Sequence, residues 1–369
     1  MSATNHSTLR RLKLGTALAT GIIGILQGQA AQAQSIGDIA NNGGATVTTP
    51  TATTMNINLN DASRHIVWGD FNVEAGHTLS YTTANAVTGY TALNTVSNGA
   101  PISQVLGNIT SQSNIAVWLI NPAGMVFSGT SSFNGGALIV STLTPRDIGG
   151  NPNDDDVVNI LDGTGTVELG LTNGGASDLT GKITLASGSS ITSSGRVALI
   201  GQQIEMNGGI TATGDVGLVL GQGISMTSST ASPLSYTIDG GTKLNGTPVG
   251  EATAGLVVGG NVTGANIKLY AVSEDTVTGA LLQVNSTSTL TASAANGTVE
   301  LRVNDINAGS ANLLASGTIN ASGTGDLVTI TSVDGNATVD GAVTIGGTGN
   351  YVVTGDSVTL GGSGTSTQS

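Results

Sequence analysis

The sequence has no cysteine, and only 9% of its 369 residues are charged and 3% aromatic. Without Cys there is no disulfide scaffold, no thiolate zinc site and no Cys nucleophile. Lys and Arg total 10 against 23 Asp and Glu, and the pI is near 4.3. No basic footprint for phosphate backbones exists, which argues against a nucleic-acid partner. Beyond the first thirty or so positions no run reaches the ~18 apolar residues of a membrane-spanning helix. The stretch from Gly346 to Ser369 is mostly Gly, Ser and Thr, with few apolar positions and no terminal aromatic, unlike the end of an outer-membrane barrel. Pro totals 7 and the 56 Gly follow no three-residue period, which excludes collagen.

What the chain does have is 38% hydrophobic residues, too many for a disordered polar tract. Gly runs at about twice the usual ~7%. Low charge, few aromatics and abundant Gly point to one repetitive all-β body.

The N-terminus reads as a secretory signal peptide over residues 1–33. Arg10, Arg11 and Lys13 form a basic region, an apolar stretch runs from Leu14 to Leu26, and Ala31-Gln32-Ala33 is a small-x-small site, so cleavage is expected between Ala33 and Gln34. The apolar stretch is short of the ~20 residues of a membrane anchor. Arg10-Arg11 hints at a twin-Arg signal, but Lys13 interrupts the apolar pair expected after it, and general secretion fits better. The mature chain then carries 7 Lys and Arg against 23 acids, a net charge of -16.

Two stretches follow. Residues 34–180 are irregular and hold both Trp and all three Phe, whereas residues 181–369 repeat. Ile191, Gly195, Val197 and Leu199 align with Ile210, Gly214, Val216 and Leu218 at a constant 19-residue offset. Short alternating segments such as Ile183-x-Leu185, Ile204-x-Met206 and Val328-x-Ile330 are separated by Gly, Ser, Asn or Asp, which is the pattern of strands and turns. A strand this short cannot bury its own apolar face. Stacked every ~4.8 Å in rungs of roughly 20 residues, such units satisfy one another. The spacing therefore predicts a parallel β-helix solenoid with Val, Ile and Leu inward, Thr and Ser outward, and Gly and Asn at positive-φ corners. At that period the mature chain would make about 16 or 17 rungs and a rod near 80 Å. A β-sandwich is the alternative for short strands at such spacing.

The run Ile66-Val67-Trp68-Gly69-Asp70-Phe71-Asn72-Val73 is followed by Ala92-Leu93-Asn94-Thr95-Val96 and Ser103-Gln104-Val105-Leu106-Gly107-Asn108-Ile109. Next come Val117-Trp118-Leu119-Ile120-Asn121-Pro122-Ala123-Gly124-Met125-Val126-Phe127 and Gly135-Gly136-Ala137-Leu138-Ile139-Val140-Ser141. In order and spacing this series resembles the N-terminal secretion domain of filamentous-haemagglutinin-type exoproteins of two-partner secretion, over roughly residues 41–180. The resemblance implies a right-handed parallel β-helix, led across the outer membrane by a partner transporter that recognises this domain in the periplasm. It also implies adhesin-like or haemagglutinin-like work, secreted or at the surface of a Gram-negative bacterium. Asn121, Pro122 and Gly124 match the family's Asn-Pro-Asn-Gly turn, and Ala123 departs from it. That turn is the candidate secretion motif, either read by the transporter or only shaping a rung. Physically, Asn121 suits an Asx turn, Pro122 fixes φ, and Gly124 permits a positive φ before the next strand.

Other chemistry is thin. His65 and His77 fall in no triad pattern. Asp154-Asp155-Asp156 lacks the alternating ligands of a calcium loop and reads as a solvated loop or insertion. The Gly pairs precede no phosphate-binding helix. No cofactor, metal or catalytic residue is expected, and the seven mature cations form no cluster in sequence. The chain reads as a non-enzymatic exoprotein with a surface or host-cell glycan as receptor. The alternatives are a β-helix enzyme acting on polysaccharide, which needs paired carboxylates on adjacent rungs, and the transport part of a longer toxin or adhesin.

Overall fold

The computed structural model describes residues 36–97, 99–146, 156–171, 181–227, 234–241, 255–274, 279–306, 311–361 and 367–368. The signal at 1–33 and its cleavage site at Ala33 and Gln34 lie outside them, as do Asp154 and Asp155.

Three long sheets run side by side: an 11-stranded sheet 1, a 10-stranded sheet 2 and a 12-stranded sheet 3. The chain visits them in rotation. Ile115–Ile120 lies in sheet 1, Gly124–Phe127 in sheet 2 and Ser132–Gly135 in sheet 3, and Leu138–Ser141 returns to sheet 1 in parallel register beside Ile115–Ile120. This is a right-handed parallel β-helix. Its first rung is covered by antiparallel strands. Ile39–Asn41 pairs with Arg64–Trp68, and Thr46–Thr51 pairs with Thr54–Asn58.

The inward columns are continuous. Along sheet 2, Val105, Phe127, Leu185, Met206, Val258 and Val284 are successive partners on successive strands, all buried. Along sheet 3, Ile109, Phe133, Ile191, Ile210, Val262 and Leu290 do the same. Each such side chain leaves water on one face of a two-residue alternation, while Thr184, Thr192 and Thr211 point outward between them. A buried Leu, Ile or Phe contributes about 1.5–3 kcal/mol by transfer from water, so no single rung is stable and the stack is. The aromatics sit early in the stack: Trp68, Phe71, Tyr81, Phe127 and Phe133 are inside, with Trp68 edge-on to Phe71 at 4.9 Å.

The 19-residue offset is real but local. It joins Ile191 to Ile210 and Val197 to Val216. Other neighbouring rungs are 28 residues apart (Ile66 to Asn94), 32 (Ile267 to Val299) or 23 (Val328 to Tyr351). Two excursions lengthen the path further, so that Leu138 meets Val197 after 59 residues and Val216 meets Ile267 after 51. Among the described residues the coils are fewer than the expected 16 or 17: the 10-stranded sheet 2 counts them, roughly 43 Å of stack at about 4.8 Å per rung.

The excursions also cover part of an exterior that is otherwise largely Thr and Ser. The strands Thr144–Pro145, Thr166–Gly170, Gly223–Thr227 and Tyr236–Gly240 form an antiparallel four-stranded sheet. With the helix Asp156–Asp162 they make a second core on the outward face of sheet 1, where Val167, Leu169, Ile224 and Met226 pack with Trp118, Ile120, Ile139, Ile200 and Val219. Strands Ile115–Ile120 and Val197–Gly201 are therefore buried on both faces, as their unbroken apolar runs require. Asp156 is not solvated. Its carboxylate accepts from Glu168 N at 2.7 Å and Arg146 N at 3.1 Å, tying the helix to the cover.

Candidate functional site

The candidate turn closes the corner between Ile115–Ile120 and Gly124–Phe127. Only three residues are available, and Pro122 brings no N–H. Asn121 Oδ1 accepts from Ala123 N at 2.9 Å, and the Asn121 carbonyl accepts from Gly124 N at 3.0 Å. Gly124 has φ of 117°, a conformation a side chain would strain.

Asn121 is also a staple between rungs. Its Nδ2 donates to Pro101 O at 3.0 Å and to Ser103 Oγ at 2.9 Å on the preceding coil, and its backbone N donates to Ser141 O at 3.0 Å on the following one. It is 1% exposed. Pro122 and Ala123 are half-exposed, so the outward surface of the motif is theirs.

A second buried asparagine stands one rung earlier, inside the first core. Asn94 Oδ1 accepts from Trp68 Nε1 at 3.0 Å and Tyr81 OH at 2.8 Å. Its Nδ2 donates to Ala92 O and Trp118 O, both at 3.1 Å. Every hydrogen-bonding capacity of the amide is used, which is the condition for keeping a polar group in an apolar interior. Burial pushes the Tyr81 phenol well above its ordinary value. Asn94 thus joins the Trp68 side chain to the Trp118 carbonyl across consecutive rungs, while Asn121 ties the corners on either side of its own.

The remaining candidates do not converge. His65 Nε2 is 2.8 Å from Thr95 Oγ1, and His77 Nδ1 is 3.6 Å from Glu74 Oε2. Among the described residues, no group of three or more His, Asp or Glu is placed to hold a metal, and no helix is long and apolar enough to cross a membrane.

One cluster emerges only once the strands are in register. On the outward face of sheet 1, Lys268 lies opposite Glu300 and Tyr270 opposite Arg302. The signal was available, because Lys268-x-Tyr270 and Glu300-x-Arg302 have the two-residue spacing that puts both members of each pair on one face of a strand. The pairing across 32 residues was not visible without the register. Lys182 and Glu205 form a similar rung-to-rung pair on sheet 2 at 2.6 Å, which holds the Glu205 carboxyl below its ordinary value.

No family model matches the chain, and no curated protein matches it. Among solved structures it is similar to the HMW1 secretion domain from Haemophilus influenzae, with 20% identity and a TM-score of 0.46 over 88% of this chain and 99% of that one. It is also similar to a filamentous hemagglutinin secretion domain, with 14% identity and a TM-score of 0.44 over 89% of this chain and 100% of that one. The fold itself is given by the strand register of this chain.

Proposed function

We propose that the chain is an exoprotein of two-partner secretion. In this reading residues 1–33 direct it to the periplasm and are removed between Ala33 and Gln34. Residues 34–180 engage an outer-membrane transporter, and the β-helix of residues 181–369 follows them out. The protein serves attachment outside a Gram-negative cell, secreted or held at its surface, with a glycan as receptor and without catalysis.

The observation that supports this most is the motif series itself. Its residues occupy consecutive rungs near the covered end of a β-helix, and its central turn spends the Asn121 side chain on the fold while leaving Pro122 and Ala123 outside. In this reading Asn121 builds the rung and the Pro122-Ala123 surface is what the transporter meets. The test is export from a Gram-negative host with and without a co-produced transporter of this class. Transporter-dependent arrival of the mature chain in the medium or on the cell surface is expected. Equal export without the transporter, or retention in the periplasm with it, overturns the proposal.

A further inference from the structure

The outward face of sheet 1 changes character where its cover ends. Beneath Leu234 and Tyr236–Gly240 the face is apolar, and this strap is pinned by two charged side chains: Asp215 Oδ2 accepts from Leu234 N at 2.8 Å, and Lys268 Nζ donates to Leu234 O at 2.7 Å. Immediately beyond it, Tyr270 stands edge-on to Tyr236 at 6.3 Å, its hydroxyl against the Glu300 carboxylate and Arg302 directly opposite on the next strand. Tyr270 and Glu300 are half-exposed and Arg302 exposed. The next rung continues the floor with Thr329 and Thr331.

Arg302 is anomalous in this chain. Arg64, Arg146, Lys182, Arg196 and Lys268 each donate to a carbonyl or carboxylate. Among the described residues Arg302 is the one cation with neither a hydrogen bond nor an ion pair. In a protein with 23 acids, an unpaired guanidinium beside an aromatic ring and a carboxylate is a set of free donors, free acceptors and an apolar face together.

We propose that this step, formed by Tyr270, Glu300 and Arg302 against the Tyr236 edge, binds a neutral hexose-based glycan. A pyranose offers a C–H face to the half-exposed ring and hydroxyls that both donate and accept. Glu300 accepts from one hydroxyl and Arg302 donates to another. The charge balance selects the class. Glu300 offsets Arg302, Lys268 is engaged by Leu234 O, and the net charge of -16 left after the signal repels polyanions. The proposal deepens the attachment part of the reading above and is independent of the export route.

The test uses the purified mature chain, with saturation-transfer NMR against lactose, cellobiose and maltose and against a galacturonic acid dimer. At least one neutral disaccharide is expected to bind, with a Kd on the order of 1 mM. Arg302→Gln and Glu300→Gln each weaken it about tenfold, the loss of one charged hydrogen bond, while Tyr270→Phe retains the stacking face and Glu205→Gln on sheet 2 changes nothing. The site is overturned if no disaccharide binds or if Arg302→Gln and Glu300→Gln leave binding intact, and the ligand class is overturned if the acidic dimer binds as tightly as the neutral sugars. Failed binding leaves export standing, and failed export leaves this measurement untouched.

Discussion

Asn94 accepts the Trp68 indole proton at 3.0 Å inside the apolar core, so a polar side chain fixes how two coils of the β-helix lie on each other. The same amide carries Tyr81 OH and reaches forward to Trp118 O. It spans the coils that hold the motif series, which makes the motif a packing unit as well as a sequence signature.

Replacing Asn94 by Leu keeps the volume and removes every one of those bonds. Two buried donors, Trp68 Nε1 and Tyr81 OH, lose their acceptor, at about 1–3 kcal/mol each. A loss of roughly 2–5 kcal/mol is expected, read as a lower denaturant midpoint with an unchanged slope.

Asn121→Ala leaves the backbone bond to Gly124 N in place but loosens the corner. It strands Pro101 O and Ser103 Oγ and removes the Asx bond to Ala123 N. The expected cost is about 2–4 kcal/mol, seen as a lower melting temperature of the purified chain. Pro122→Ala touches none of these bonds, and a change within about 1 kcal/mol is expected. If Pro122→Ala nonetheless blocks export, the surface of the turn is what the transporter reads.

The Lys182 and Glu205 pair gives a pH dependence of known sign. Hydrogen bonding to Lys182 lowers the Glu205 carboxyl from its ordinary 4.5, so its contribution is complete above that value and is lost as pH falls through the lowered folded value. Both side chains are about 30% exposed, which limits the effect to under ~1 kcal/mol. In Lys182→Met, carboxyl NMR titration is expected to return Glu205 upward toward 4.5, and the stability difference from the parent should vanish in strong acid.

The strap over sheet 1 is expected to open locally before the rungs do. Lys268→Met removes the bond to Leu234 O, and Gly217→Ala places a methyl group against the Tyr236 hydroxyl. Amide exchange should accelerate at Leu234 and over Tyr236–Gly240 in either variant, while protection of Val197–Gly201 is retained. Uniform loss of protection would show that the strap and the rungs unfold as one unit.

How far the sequence speaks can be judged from particular residues. Ile191 and Ile210 declared their pairing because nothing intervenes between their coils. Leu138 and Val197 did not, because a 59-residue path with its own strands and helix lies between them, and loop length leaves no mark on register. The unbroken apolar run of Ile115–Ile120 signals burial on both faces, but what covers its outer face comes from distant segments. At the turn, the Asx geometry of Asn121 and the positive φ of Gly124 were legible in the residue types. The bonds from Asn121 to Pro101 and Ser103 were not, since they depend on the preceding coil's corner.

The central claim is that the motif series and the later repeats form one stack, although Thr144–Pro145, Asp156–Asp162 and Thr166–Gly170 lie between them in sequence. Because the chain has no cysteine, a single introduced pair reports the register cleanly. Val126 and Thr184 are partners on adjacent strands of sheet 2, both half-exposed and on the outward side, within the separation a disulfide accepts. Val126→Cys with Thr184→Cys is expected to close an intramolecular disulfide under mild oxidation. Val126→Cys with Leu185→Cys, a slip of one residue that turns the second side chain inward, is expected to stay reduced. Cross-linking of the second pair in place of the first would contradict the register, and with it the continuous stack.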